Sequence, residues 1–172
     1  MVNSLYKSKK AQVWYADLIL ALLVFTAILT MYYKTDINTS QQDNKNLNEL
    51  TMEARIVTND ILSQGIPKAW NKTNVRKIGI MDNNRINMTK LVYFSELPYN
   101  DTKSYLRTKY DYYLYFKRDG NIIKINGKDG IGKPGVNATN LEQAEKPNKV
   151  IRLTRIVILE HDPARMEFII WE

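Results

Sequence analysis

The sequence predicts an α+β fold: a long N-terminal helix, membrane-compatible in its first half and amphipathic in its second, packed on a small antiparallel sheet with short helices between. Three observations carry this reading. Leu18–Met31 is continuously apolar apart from Thr26 and Thr30. Leu47, Leu50, Ala54, Val57 and Ile61 recur at spacings of three and four, the period of one helix face. From Tyr110 onward, aromatic and β-branched runs alternate with turn residues.

The first element follows from length and charge. Between Ala11 and Tyr33 the one side chain charged at neutral pH is Asp17. Val13 to Tyr33 covers about 21 residues, and a helix needs about 20 to cross the hydrocarbon of a bilayer. Trp14 and Tyr15 at one end and Tyr32 and Tyr33 at the other suit the two interfaces. Lys7, Lys9 and Lys10 precede the span, so the positive-inside rule puts the N-terminus in the cytoplasm and residues 34–172 outside. Thr30-Met-Tyr-Tyr-Lys34 lacks the small residues that a secretory signal peptidase requires after an apolar core. A plain signal anchor is the simplest alternative.

After the span, residues 34–46 are almost wholly polar, and the apolar stripe then carries a helix that Gly65 and Pro67 stop. Asn87 or Thr89 is expected to cap a short helix through Leu91 and Phe94, and Asn100 or Asp101 a second through Tyr105 and Leu106. Tyr110–Lys117 reads as a strand, Arg118-Asp-Gly-Asn121 as a hairpin turn, and Ile122–Ile125 as its return. The Gly127–Gly135 stretch reads as a flexible surface loop, because it lacks the spacing of a phosphate-binding loop. Val150–Leu159 and Met166–Trp171 form a second hairpin around His161-Asp162-Pro163, giving about four antiparallel strands.

Composition narrows the function. The net charge of +7 is spread among acidic and apolar residues rather than gathered in a patch, which sets nucleic acid aside as the expected partner. With no Cys and one His, neither a disulfide framework nor a zinc site is expected. His161 reads as a solvated turn residue and Trp70 as part of the core. Tyrosines crowd Tyr93–Tyr115; alternation along a strand sends half of those rings inward and leaves the rest for subunit contacts or for stacking on bases or sugars. No nucleophile–base set stands out, so neither an enzyme nor a cofactor is expected.

The junction Lys9-Lys10-Ala11-Gln12 resembles the class III signal peptides of archaeal type IV pilin-like proteins. In that family a basic leader ends in a small residue, more often Gly than Ala, and a prepilin peptidase cuts before Gln. The helix then stays on the subunit for assembly into a filament. The segment from Gly65-Ile-Pro-Lys-Ala-Trp70 through Tyr110–Phe116 resembles the outer domains of uncharacterised members. The resemblance implies a leader at 1–11, a membrane and assembly helix at 12–33, a polar stretch and amphipathic helix at 34–64, and an outer α+β domain at 65–172. It implies as partners the membrane, prepilin peptidase and like or related subunits. It also implies a new α-ammonium at Gln12 that neutralises Asp17, here the sixth mature residue where related subunits carry an acid at the fifth. On the residues alone, Asp17 reads equally as a wetted acid favoured by the helix N-terminus.

Five sequons, at Asn38, Asn71, Asn87, Asn100 and Asn137, all lie on the side expected to be outside. They are candidate N-glycosylation sites or the chance product of an Asn-rich chain. The expected function is a major or minor subunit of a pilus-like surface filament. The alternative is a membrane-anchored surface module that binds a glycan, nucleic acid or protein and does not polymerise.

Overall fold

The computed structural model describes residues 3–172, with the backbone alone for 3–13, 36–44 and 142. The chain divides into two units, Met1–Asn46 and Leu47–Glu172. A single helix, α1 (Asn3–Ile61), begins in the first and ends in the second. Within the second unit, Leu50, Ala54, Val57 and Ile61 are fully buried, so the helical period of the sequence marks a core face. Leu47 does not join it and remains 42% exposed. Each such burial is worth about 1.5–3 kcal/mol for a large aliphatic side chain. The helix stops four residues before Gly65, and Leu62 and Ser63 continue it only as a turn through bonds to Thr58 and Asp60. Gly65 follows at φ +75°, where a Cβ would meet the Trp70 ring at 2.5 Å.

The rest of the second unit is α+β. Its order is β1 (Met81–Asp82), β2 (Arg85–Ile86), α2 (Met88–Glu96), α3 (Tyr99–Leu106), β3 (Asp111–Arg118), β4 (Asn121–Ile123), β5 (Ile131–Gly132), α4 (Leu141–Glu145), β6 (Val150–Leu159) and β7 (Asp162–Trp171). The strands form one sheet in the order β1-β2-β6-β7-β3-β4, with β5 also on β3. The expectation of about four antiparallel strands is therefore corrected to seven in a mixed sheet. β2 joins β6 in parallel at Ile86 and Leu159, whereas β3, β6 and β7 are antiparallel along most of their length.

Local chemistry explains the joints. Asn87 caps α2 by accepting a bond from the Lys90 N–H at 3.2 Å, and Leu91 and Phe94 face the core. Thr89 lies inside that helix. Neither Asn100 nor Asp101 caps α3: Pro98 occupies the cap, its fixed φ suiting a helix start, and both expected caps lie in the first turn. Asp119 and Gly120, at φ 49° and 84°, make the two-residue turn between β3 and β4. The β6–β7 turn is also shorter than expected. Asp162 and Pro163 already pair with Leu159 and Ile158, leaving Glu160 and His161 at the tip.

Both faces of the central sheet are covered. Tyr112, Leu114 and Phe116 of β3 meet Met166, Phe168 and Ile170 of β7 on the face that packs on α1 and α2. Tyr113, Tyr115, Ile169 and Trp171 on the opposite face are covered by Val136 and by Leu141 of α4. Alternation thus leaves no free β3 tyrosine: Tyr112, Tyr113 and Tyr115 are all buried, as is Tyr110 just before the strand. The glycine-rich stretch is likewise not all loop. Gly130 and Gly132 pass so close to β3 that a Cβ on either would lie 2.5 Å or less from a carbonyl oxygen of Leu114 or Tyr112. Without side chains there, Ile131 and Gly132 become β5.

Candidate functional site: an apolar helix segment and surface clefts

Trp14–Thr35 of α1 is 22 residues long and apolar enough to span a membrane. At 1.5 Å per residue it reaches about 33 Å, enough to cross the roughly 30 Å of a bilayer hydrocarbon core. None of it is buried in the protein; Leu20, Phe25 and Ile28 are each at least 60% exposed. Its threonine hydroxyls bond back within the helix. Thr26 donates to the carbonyls of Leu22 and Leu23 at 2.9 Å, and Thr30 to those of Thr26 and Ala27 at 2.8 and 2.9 Å. Such bonds allow threonine in lipid at little cost. Trp14 and Tyr15 lie near one end, with Tyr32 and Tyr33 near the other, the latter pair meeting edge to face at 6.2 Å. Asp17 is exposed, and its helical neighbours Trp14, Leu20 and Ala21 carry no charge. The side chains of Lys9, Lys10, Ala11, Gln12 and Asn38 lie outside those described.

A cleft of about 670 Å³ lies in the second unit beside Trp70 and Tyr93, with Lys68, Asn71 and Asp82 on its lining. Trp70 is 2% exposed, and its Nε1 donates to the Gly79 carbonyl at 2.7 Å, so the ring belongs to the core as its size suggests. Lys90 is 4% exposed and donates to Asp82 Oδ1 and to the Gln64 carbonyl, both at 2.9 Å. Asn87 Nδ2 donates to the other Asp82 oxygen at 2.7 Å. Burial pushes the Asp82 carboxyl up, but bonds from Lys90 and Asn87 outweigh it and leave the group below its ordinary range.

Two further clefts, of about 490 and 420 Å³, flank a second ionic node. Asp111 at the start of β3 accepts from Lys103 at 2.7 Å, Lys133 at 2.8 Å and Tyr99 at 2.9 Å. Lys133 also pairs closely with Glu145 of α4. Burial raises the Asp111 carboxyl, yet the three donors together hold it down at about 2. Burial and the bond to Asp111 both push Tyr99 well above its ordinary value. Four residues further along β3, Tyr115 donates to Glu167, and burial with that bond raises the phenol to about 12. The charges lining these clefts are thus largely turned on one another and tie α3, β3 and α4 together. Among the described residues, no group of three or more His, Asp or Glu is placed to hold a metal ion.

Four sequons fall among described side chains. Asn71 and Asn137 are exposed in turns, Asn87 is engaged as the α2 cap, and Asn100 is exposed in the first turn of α3. Residue-by-residue reading missed the Lys90–Asp82 pair, in which Lys90 also reaches the Gln64 carbonyl 26 residues away, and the Asp111 node, in which Lys133 lies 22 residues from Asp111. One available signal was Lys90 itself, a cation beside the apolar helix face of Leu91 and Phe94. No protein-family model, curated protein or solved structure matches this chain.

Proposed function

We propose that the protein is a membrane-anchored surface subunit of an archaeal pilus-like filament, structural rather than catalytic. The observation that carries this reading is that α1 alone serves two purposes. Its Trp14–Thr35 segment keeps every side chain exposed, while Leu50–Ile61 supplies a fully buried stripe to an α+β domain. That division fits a subunit held in the bilayer by a helix that later packs against other copies. In this reading, Lys7, Lys9 and Lys10 hold the leader in the cytoplasm, prepilin peptidase cuts before Gln12, and the domain lies outside. The α-ammonium at Gln12, on the same or a neighbouring subunit, neutralises Asp17.

Intact mass and N-terminal peptide mapping of the protein from native membranes test the processing, with a start at Gln12 expected. A start at Met1 or Val2 refutes processing and favours a non-polymerising anchored module that binds a glycan, nucleic acid or protein. Asp17→Ala is expected to leave the chain in the membrane but stop filament growth; wild-type filament yield from that variant refutes the assembly role.

A further inference from the structure

The sequons at Asn71 and Asn137 share more than Asn-x-Thr. Each continues to a further asparagine, as Asn71-Lys-Thr-Asn74 and Asn137-Ala-Thr-Asn140, and both fold into the same reciprocal turn. Asn71 Oδ1 accepts from the Thr73 amide at 2.9 Å, the Thr73 hydroxyl at 2.7 Å and the Asn74 amide at 3.2 Å. Asn137 Oδ1 accepts from the Thr139 amide at 2.9 Å, its hydroxyl at 2.9 Å and the Asn140 amide at 2.8 Å. The fourth residue closes each turn: Asn74 Oδ1 accepts from the Asn71 amide at 2.7 Å, and Asn140 Oδ1 from the Asn137 amide at 2.6 Å. The two turns are 66 residues apart in the chain, and neither depends on a regular element for its bonds.

The consequence is a carboxamide fixed by its oxygen. Three donors on Oδ1 set the side-chain torsions and leave Nδ2 without a partner among the described residues, on exposed side chains. Donors on the oxygen also draw electron density from the amide nitrogen and ease loss of its proton. The other two described sequons are arranged differently. Asn87 Nδ2 is spent on Asp82, and Asn87 Oδ1 caps α2. Asn100 is exposed, but the hydroxyl of its Thr102 is buried at 1% exposure, donating to the Tyr99 carbonyl at 2.6 Å and accepting from Tyr112 at 2.5 Å. Among the four described sequons, a transferase that must engage both the amide and the hydroxyl meets them together only at Asn71 and Asn137. Each also borders a cleft, Asn71 the one beside Tyr93 and Asn137 the one beside Tyr113, which gives a first sugar a surface to rest on.

We infer that Asn71 and Asn137 are the N-glycosylated positions of the folded domain and that Asn87 and Asn100 are not. The glycan donor is a lipid-phosphate-linked sugar chain. A bond forms between Nδ2 and the sugar C1 while the C1–O bond to the carrier phosphate breaks. The phosphate leaves with that electron pair, and the Nδ2 proton passes to a base of the transferase. The inference rests on the reading that the domain lies outside the cell.

The test is glycopeptide mass spectrometry of the full chain purified from the membranes of cells that make it, together with protease digestion of those cells intact. Glycan mass on the Asn71 and Asn137 peptides, with Asn87 and Asn100 bare, is expected. Asn74→Ala keeps the sequon but opens one turn, so occupancy should fall several-fold at Asn71 and stay unchanged at Asn137. Unchanged occupancy at Asn71 in that variant, or Asn87 or Asn100 occupied to the level of Asn71, overturns the inference. A bare Asn71 and Asn137 on a domain that external protease cleaves overturns the glycan proposal alone. A domain protected from external protease overturns the orientation, and the glycan proposal with it.

Discussion

Replacing Asp111 by Asn removes one charge from a node that holds three donors, and its effect on stability is calculable. In the folded domain Lys103, Lys133 and Tyr99 hold the Asp111 carboxyl at about 2 against an ordinary value of 3.8. Each unit of such a difference is worth 1.36 kcal/mol, so ionised Asp111 stabilises the fold by about 2 kcal/mol. The sign follows from the depression. The contribution is complete above the unfolded value, near pH 4, and is lost as pH falls toward about 2, where the folded carboxyl also takes up its proton. Urea unfolding of the full chain in detergent, followed by tryptophan fluorescence, provides the assay; Trp171 pairs directly with Asp111 across the sheet. Asp111→Asn should unfold about 2 kcal/mol more easily than wild type at neutral pH, and the two curves should converge near pH 2. Other acids titrate equally in both proteins, so the difference isolates Asp111. A gap that stays constant from neutral to acid pH would mean that shape rather than charge carries the loss, and would refute the electrostatic account.

Two further perturbations test the packing around the cleft beside Trp70 and Tyr93. Gly79→Ala would place a Cβ 2.2 Å from the Gly65 nitrogen and 2.6 Å from the Ser63 carbonyl, both backbone atoms. The domain should lose about 3 kcal/mol or fail to fold, read as a fall in the thermal midpoint; an unchanged midpoint would contradict the close approach. Lys90→Met strands Asp82 and the Gln64 carbonyl and should cost about 3 kcal/mol, near the lower end for a broken buried pair because Asp82 is 30% exposed. A double-mutant cycle with Asp82→Ala should show that the second change costs little once the first is made. Additive losses would mean that the two groups do not depend on each other.

What the sequence disclosed follows the length scale of each interaction. The apolar run and the stripe from Leu50 to Ile61 repeat often enough for their period to identify a helix. The β3–β4 and β6–β7 hairpins announce themselves because their turns and strands are neighbours in the chain. β1 and β2 have two residues each, too few to display any period, and they exist because Ile86 finds Leu159 more than seventy residues away. β5 hides in a glycine-rich stretch because its pairing depends on missing side chains at Gly130 and Gly132. The tyrosines of β3 follow the expected alternation, but the pattern does not reveal that α4, five residues long, covers the second face. At the candidate sites, the four described sequons separate only when the fold shows which amides and hydroxyls are already spent. The asparagine after Thr73 and Thr139 is the one feature in the sequence that distinguishes the two open turns.

Under the filament reading, the energetics of the helix segment place a particular demand on Asp17. Leaving lipid to pack against other helices gains almost no hydrophobic free energy, since acyl chains are as apolar as leucine. Burying leucines such as Leu20 and Leu22 therefore cannot by itself drive subunits from bilayer to filament. Packing and the pairing of polar groups remain, and between Trp14 and Tyr33 the one charged side chain is Asp17. An unpaired carboxylate resists entry into an apolar interface, whereas one matched to an ammonium does not. A subunit whose N-terminus is still blocked by its leader would carry the acid without that amine. Leader removal would then both free the helix and supply the charge that admits it to the filament, so cleavage and assembly would be coupled through Asp17.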